Sequence, residues 1–116
     1  MDLLERDYYI ALFDIYRELL TLKQQEYFIA YYYDDFSFAE IADLKNVSRN
    51  AVFDQIKKAI NVLEEYEEKL ALLKKKNKLM DFSAKLDEAS REALLSIIKE
   101  WLRWLLIVYQ VDYKWP

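Results

Sequence analysis

Apolar positions in the first part of the chain recur at spacings of three and four, the repeat of one face of a helix. Between Leu3 and Leu20 they are Leu4, Tyr8, Leu12, Ile15, Tyr16 and Leu19, which predicts a first helix with a single buried stripe. Thr21 and Gln24 then stand at capping-box spacing, where each side chain satisfies a backbone N–H freed at a new helix start. A second helix is predicted from there to about Tyr33, carrying Tyr27, Phe28 and the cluster Tyr31-Tyr32-Tyr33. Aromatic residues in that register are expected to be core with polar tips at the surface; a stacking platform for bases is the alternative.

Asp34-Asp35 reads as a turn. Ser37 and Glu40 form a second capping box, with Phe36 and Ile41 at the positions of a hydrophobic staple. Ile41, Ala42 and Leu44 supply the apolar side of a short helix ending near Leu44. Asn46 follows where a left-handed residue is wanted, and asparagine is the best substitute for glycine there. Ser48 caps the next helix, with Val47 and Val52 again at staple spacing. Two capped helices joined by so short a turn predict a helix-turn-helix.

The fourth helix is expected to be long. Ile56, Ala59, Leu63, Tyr66, Leu70 and Leu73 continue the three-four spacing, the seam of a short coiled coil running from Ser48 into the run Lys74-Lys75-Lys76-Asn77-Lys78. The lysine run is expected to be solvated helix or linker, with phosphate binding as the alternative. A last helix begins near Asp87, with Asp87, Glu88 and Glu92 at the end the helix dipole favours. From Leu94 to Val108 it is apolar on nearly every face, so oligomerisation is expected, and the residues after it are expected to be irregular. The predicted organisation is an all-α helical bundle: a helix-turn-helix head over 1–73, a basic connector over 74–86, and a C-terminal apolar helix over 87–116 packed on the head or on a second subunit.

Composition sharpens this. The 116 residues include no glycine and one proline, Pro116, so both helix breakers are absent from the interior. Without cysteine there are no disulfides, thiol nucleophiles or thiolate metal sites; without histidine the commonest general base and metal ligand is missing. No constellation of the remaining carboxylates, lysines and hydroxyls suggests catalysis, so neither an enzyme nor a bound cofactor or metal is expected. The net charge of −4 is uneven: residues 1–70 hold fifteen acids and eight bases, residues 71–116 six acids and nine bases. A negative field opposes non-specific DNA binding and has to be overcome locally. The start has no signal-peptide pattern. The most apolar stretch, Trp101 to Tyr109, is broken by Arg103 and far shorter than the roughly 20 residues of a membrane span, so a cytoplasmic protein without membrane insertion is expected.

The segments LLTLKQQEY, YYYDDFSFAEIA, VSRNAVFDQIK and VLEEYEEKL, in that order and spacing, resemble the YlxM-like family of small bacterial helix-turn-helix proteins, over about residues 10–82. The family's head is similar to the promoter-reading fourth region of sigma-seventy-type factors. The resemblance implies a regulatory or accessory role in the signal recognition particle pathway, with the particle's GTPase protein Ffh or its RNA as partner. Two positions depart from the family pattern: Asn46, where glycine or another turn residue is usual, and Lys45, where leucine is usual, which predicts a shift in how the first helix of the motif packs. No family pattern matches residues 83–116.

Two functions fit. In a nucleic-acid reader the start of the second motif helix meets the bases, which points to Arg49, Asn50, Phe53 and Asp54. Arg49 suits guanine and Asn50 adenine, while Lys57 and Lys58 suit phosphates. Asp54 and the following Glu64, Glu65, Glu67 and Glu68 oppose this. In a protein adaptor, a homodimer seam of Ile56, Leu63, Tyr66, Leu70, Leu73, Trp101, Trp104, Leu105 and Val108 presents a partner surface instead. A transcriptional regulator unrelated to protein targeting is a third possibility.

Overall fold

The computed structural model describes the backbone of residues 3–114 and the side chains of residues 5–103. Among the described residues the chain is helical throughout, with no strand: α1 (Leu3–Tyr16), a 3-10 turn (Arg17–Leu19), α2 (Leu22–Phe28), a π-helical turn (Ile29–Tyr33), α3 (Phe38–Lys45), α4 (Arg49–Leu70), α5 (Leu72–Ser83) and α6 (Glu88–Lys114). It divides into two compact units, residues 1–69 and residues 70–116. Among the described residues, no helix is long and apolar enough to cross a membrane.

In the first unit, α1 gives up α-geometry at Tyr16 rather than Leu20, tightening into the 3-10 turn that delivers Thr21 to its cap. Its buried face is Leu12, Phe13, Ile15 and Tyr16; Tyr8, expected inside, is 44% exposed, and Leu19 is half-buried. Leu4 lies outside the residues whose side chains are described. Both arms of the Thr21–Gln24 capping box are present, at 3.1 and 3.0 Å. α2 closes at Phe28, and Ile29–Tyr33 widens into one π-helical turn. That turn serves the aromatic core. Phe28 stacks on Phe13 (centroids 4.3 Å, 5° between planes) and on Tyr32 (4.4 Å), and Phe13, Phe28 and Tyr32 are all buried. Tyr33 stays exposed and donates its hydroxyl hydrogen to Asp14 (3.1 Å). Arg6 of α1 donates to the Tyr32 carbonyl and to Asp35, whose φ of 58° turns the chain into α3.

The expected seam of the fourth helix is two things. Ile56, Ala59 and Leu63 are buried within the chain beside Val52, and Tyr66 stacks on Tyr16 (6.0 Å). A stripe that an amphipathic helix buries against its own chain has the same spacing as a coiled-coil seam, so Ile56 and Leu63 are core and not a surface for a second subunit. The helix also ends earlier than expected. Ala71 adopts φ 54°, ψ 35°, and this left-handed residue separates α4 from α5, so Leu70 and Leu73 are on different helices.

The second unit is a helical hairpin. The predicted connector over 74–86 is mostly α5, followed by a tight turn to Asp87. Arg91 of α6 fastens that turn, donating to the carbonyls of Ser83 (3.1 Å) and Leu86 (3.0 Å). Asp87 caps α6 through the Ser90 N–H (3.4 Å), and hydrogen bonding to the Ser90 hydroxyl, then to that N–H, holds its carboxyl below the usual range. α6 continues to Lys114, where irregular chain was expected. Ile98 is buried, but Ile97 and Trp101 are 63% and 47% exposed, so the helix is not enclosed on every face within the described residues. The side chains of Trp104, Leu105 and Val108 lie outside those described.

Candidate nucleic-acid interface

The helix-turn-helix is assembled by local interactions. Ser37 Oγ accepts the Glu40 N–H (3.1 Å) and Glu40 accepts the Ser37 N–H (3.2 Å), which fixes the start of α3. Asn46 ends it in the left-handed region at φ 54°, ψ 50°, and the N–H groups of Asn46 and Val47 both point to the Ala42 carbonyl. Ser48 starts α4, its hydroxyl accepting the Ala51 N–H (3.1 Å). Ile41, Ala42 and Val52 are buried across the turn, while Leu44, expected on the apolar side, is exposed. Lys45, where leucine was the usual family residue, turns back to α2. Its ammonium is 3.0 Å from Glu26 and 5.8 Å from the Tyr27 ring centroid.

All six residues expected at nucleic acid are exposed. Asn50, Asp54, Lys57 and Lys58 lie on the side of α4 away from buried Val52, Ile56 and Ala59, while Arg49, in the first turn, and Phe53 flank the buried stripe. Arg49 and Asn50 occupy the first two positions after the cap. Lys57 is about two turns further on, with its Nζ 5.8 Å from the Phe53 ring centroid. The helical repeat keeps exposed Glu64, Glu65 and Glu68 on that same side, so the positive stretch is bounded along α4 by negative charge. Glu65 is paired with Lys69 at 2.8 Å.

Phe53 is not an isolated surface aromatic. Its ring meets Phe38 edge-on (5.9 Å, 80°), and Phe38 stacks on Tyr31 (4.8 Å, 21°), a ladder from α4 through α3 to the π-helical turn. Phe38 had no assigned part in the sequence pattern. Its only signal is an aromatic residue directly after a capping serine, where the first turn of α3 crosses α4. Among the described residues, no group of carboxylates is arranged to hold a metal ion.

Comparison with known proteins agrees with this architecture. The family described as "Putative helix-turn-helix protein, YlxM / p13 like" matches residues 3–100. A UPF0122 protein of Halalkalibacterium halodurans is 54% identical over 78 residues, covering 67% of this chain and 72% of its own. The YlxM protein of Bacillus subtilis (strain 168) is 53% identical over 77 residues, covering 66% and 70%. A relative from Bacillus pumilus is 48% identical over 99 residues, covering 77% and 88%. By sequence and by the capped motif that the structure displays, the chain belongs to the YlxM/p13-like family of helix-turn-helix proteins.

Proposed function

We propose that the protein is an accessory or regulatory factor of the signal recognition particle pathway whose helix-turn-helix head binds nucleic acid. The pathway comes from the family resemblance. The observation that supports binding is the exposure of Arg49 in the first turn of α4 and of Asn50, Lys57 and Lys58 on its outer side, on a helix anchored by buried Val52, Ile56 and Ala59. In this reading Arg49 and Asn50 reach base edges, where their paired hydrogen-bonding groups suit guanine and adenine, and the two lysines meet phosphates. The test is a titration with duplex DNA and with signal recognition particle RNA at low and moderate salt. Binding that weakens steeply with salt, and drops by about tenfold or more in Arg49→Ala/Lys57→Ala, is expected. Binding to neither nucleic acid overturns the reading.

A second reading, a protein adaptor, is favoured by the carboxylates of Asp54, Glu64, Glu65 and Glu68 on the same side of α4. It makes a protein such as Ffh the partner, captured by the wild-type chain in the absence of RNA.

A further inference from the structure

Beside the exposed side of α4 the head contains a cleft of about 310 Å³, within the range of small-ligand pockets. It lies between α1, the π-helical turn, α3 and α4, and includes neither Arg49 nor Asn50. Its wall is the ladder of Tyr31, Phe38 and Phe53, and Tyr9 faces it from α1, edge-on to Tyr32 (6.2 Å). Its ionised groups are two carboxylates, Glu5 and Glu64, against one ammonium, Lys57.

Three observations set the chemistry of the occupant. The ring faces carry negative quadrupole density, which attracts cations, and Lys57 already holds its own ammonium near the Phe53 ring. Tyr9 donates to Glu5 (3.2 Å). Burial above all, then hydrogen bonding to Glu64 and Glu5, holds its hydroxyl protonated far above the ordinary range. Glu5 and Glu64 are exposed enough to reorient towards a guest. A phosphate would meet both carboxylates, and an apolar group would desolvate them with no cation to offset the cost.

We propose that this cleft receives an arginine side chain from a basic segment of a protein partner. Arginine fits better than lysine because its planar guanidinium stacks on aromatic faces and forks onto carboxylates. A peptide segment fits better than a small polyamine because negative charge extends past the cleft: Glu65 and Glu68 are exposed further along α4, and residues 1–70 hold fifteen acids against eight bases. The inference is independent of nucleic-acid binding at Arg49.

The experiment titrates the full chain with a blocked peptide carrying two arginines between alanines, and with its citrulline counterpart, by calorimetry and by NMR of aromatic ring protons. The arginine peptide is expected to shift the Tyr31 and Phe53 ring resonances, and the citrulline peptide is not. Glu5→Gln/Glu64→Gln is expected to weaken binding roughly tenfold or more, and Phe53→Ala to weaken it by several-fold. Glu65→Gln/Glu68→Gln removes the same charge outside the cleft and is expected to weaken binding less, by about two- to threefold. Lys57→Ala is expected to tighten the peptide complex, the opposite of its effect on a nucleic-acid complex, so the two readings fail separately. Equal losses in the two glutamine pairs, an unchanged affinity in Glu5→Gln/Glu64→Gln, or ring shifts with spermidine but not with the peptide would each overturn the proposal.

Discussion

Asn46 and Ala71 share almost the same backbone, φ 54° with ψ 50° and 35°, but differ in what the conformation costs. Asparagine tolerates the left-handed region, whereas a Cβ without a polar group to compensate destabilises it by about 1–2 kcal/mol. Asn46→Ala therefore costs about 1 kcal/mol and Asn46→Gly is close to neutral. At Ala71 the sign reverses, and Ala71→Gly gains about 1 kcal/mol in spite of the looser unfolded chain. Urea denaturation of the three variants checks both. A loss at Ala71→Gly, or no difference between the two Asn46 variants, would show that the left-handed turns do not set these energies. The contrast also marks what the sequence discloses. Asn46 sits between two capping serines, so the pattern announces its conformation. Ala71 is an ordinary helix former inside an unbroken apolar repeat, and nothing nearby in sequence signals a stop.

Among the elements, α1 and the π-helical turn are joined by side chains that also set a response to pH. Tyr33, bonded to Asp14, is pushed up to about 12 by burial and by that carboxylate, and Tyr32 is pushed to about 12 chiefly by burial. In the unfolded chain both titrate near 10. The folded state thus keeps protons that the unfolded state has released, and the slope of stability against pH is negative between the two values. The stabilisation is complete below about pH 10 and is lost as pH rises through about 12. Thermal melts followed by circular dichroism should show the midpoint falling across about pH 10 to 12, more gently in Tyr33→Phe; an identical slope in that variant would remove Tyr33 from the account. The helix-turn-helix was legible because capping boxes and turn residues act over three or four positions. The π-helical turn was not, because it accompanies the packing of Phe28 on both Tyr32 and Phe13 of α1, and the contact with α1 is not written in the local pattern.

For the whole molecule the open question is what covers α6. Ile98 is buried in the second unit, while Ile97 and Trp101, one turn apart on one side of the helix, are exposed. The sequence carries that spacing on through Trp104, Leu105 and Val108, and exposed apolar positions such as Ile97 and Trp101 that begin a longer apolar stripe are candidates for association. Self-association through α6 is therefore the expected state of the chain. Ile56 and Leu63 are already buried and are not free to contribute, so substitutions there should unfold the protein rather than dissociate it. Sedimentation equilibrium at micromolar concentration should give a dimer, and the melting midpoint should rise with protein concentration, as linkage requires of a dimer. Ile97→Asp/Trp101→Asp places two charges on the apolar side and should weaken the dimer by roughly a hundredfold or more, leaving a folded monomer whose melting no longer depends on concentration. A wild-type chain that sediments as a monomer at that concentration would exclude α6 as an association surface. It would also leave the aromatic cleft and the outer side of α4, both on the first unit, as the binding surfaces to pursue.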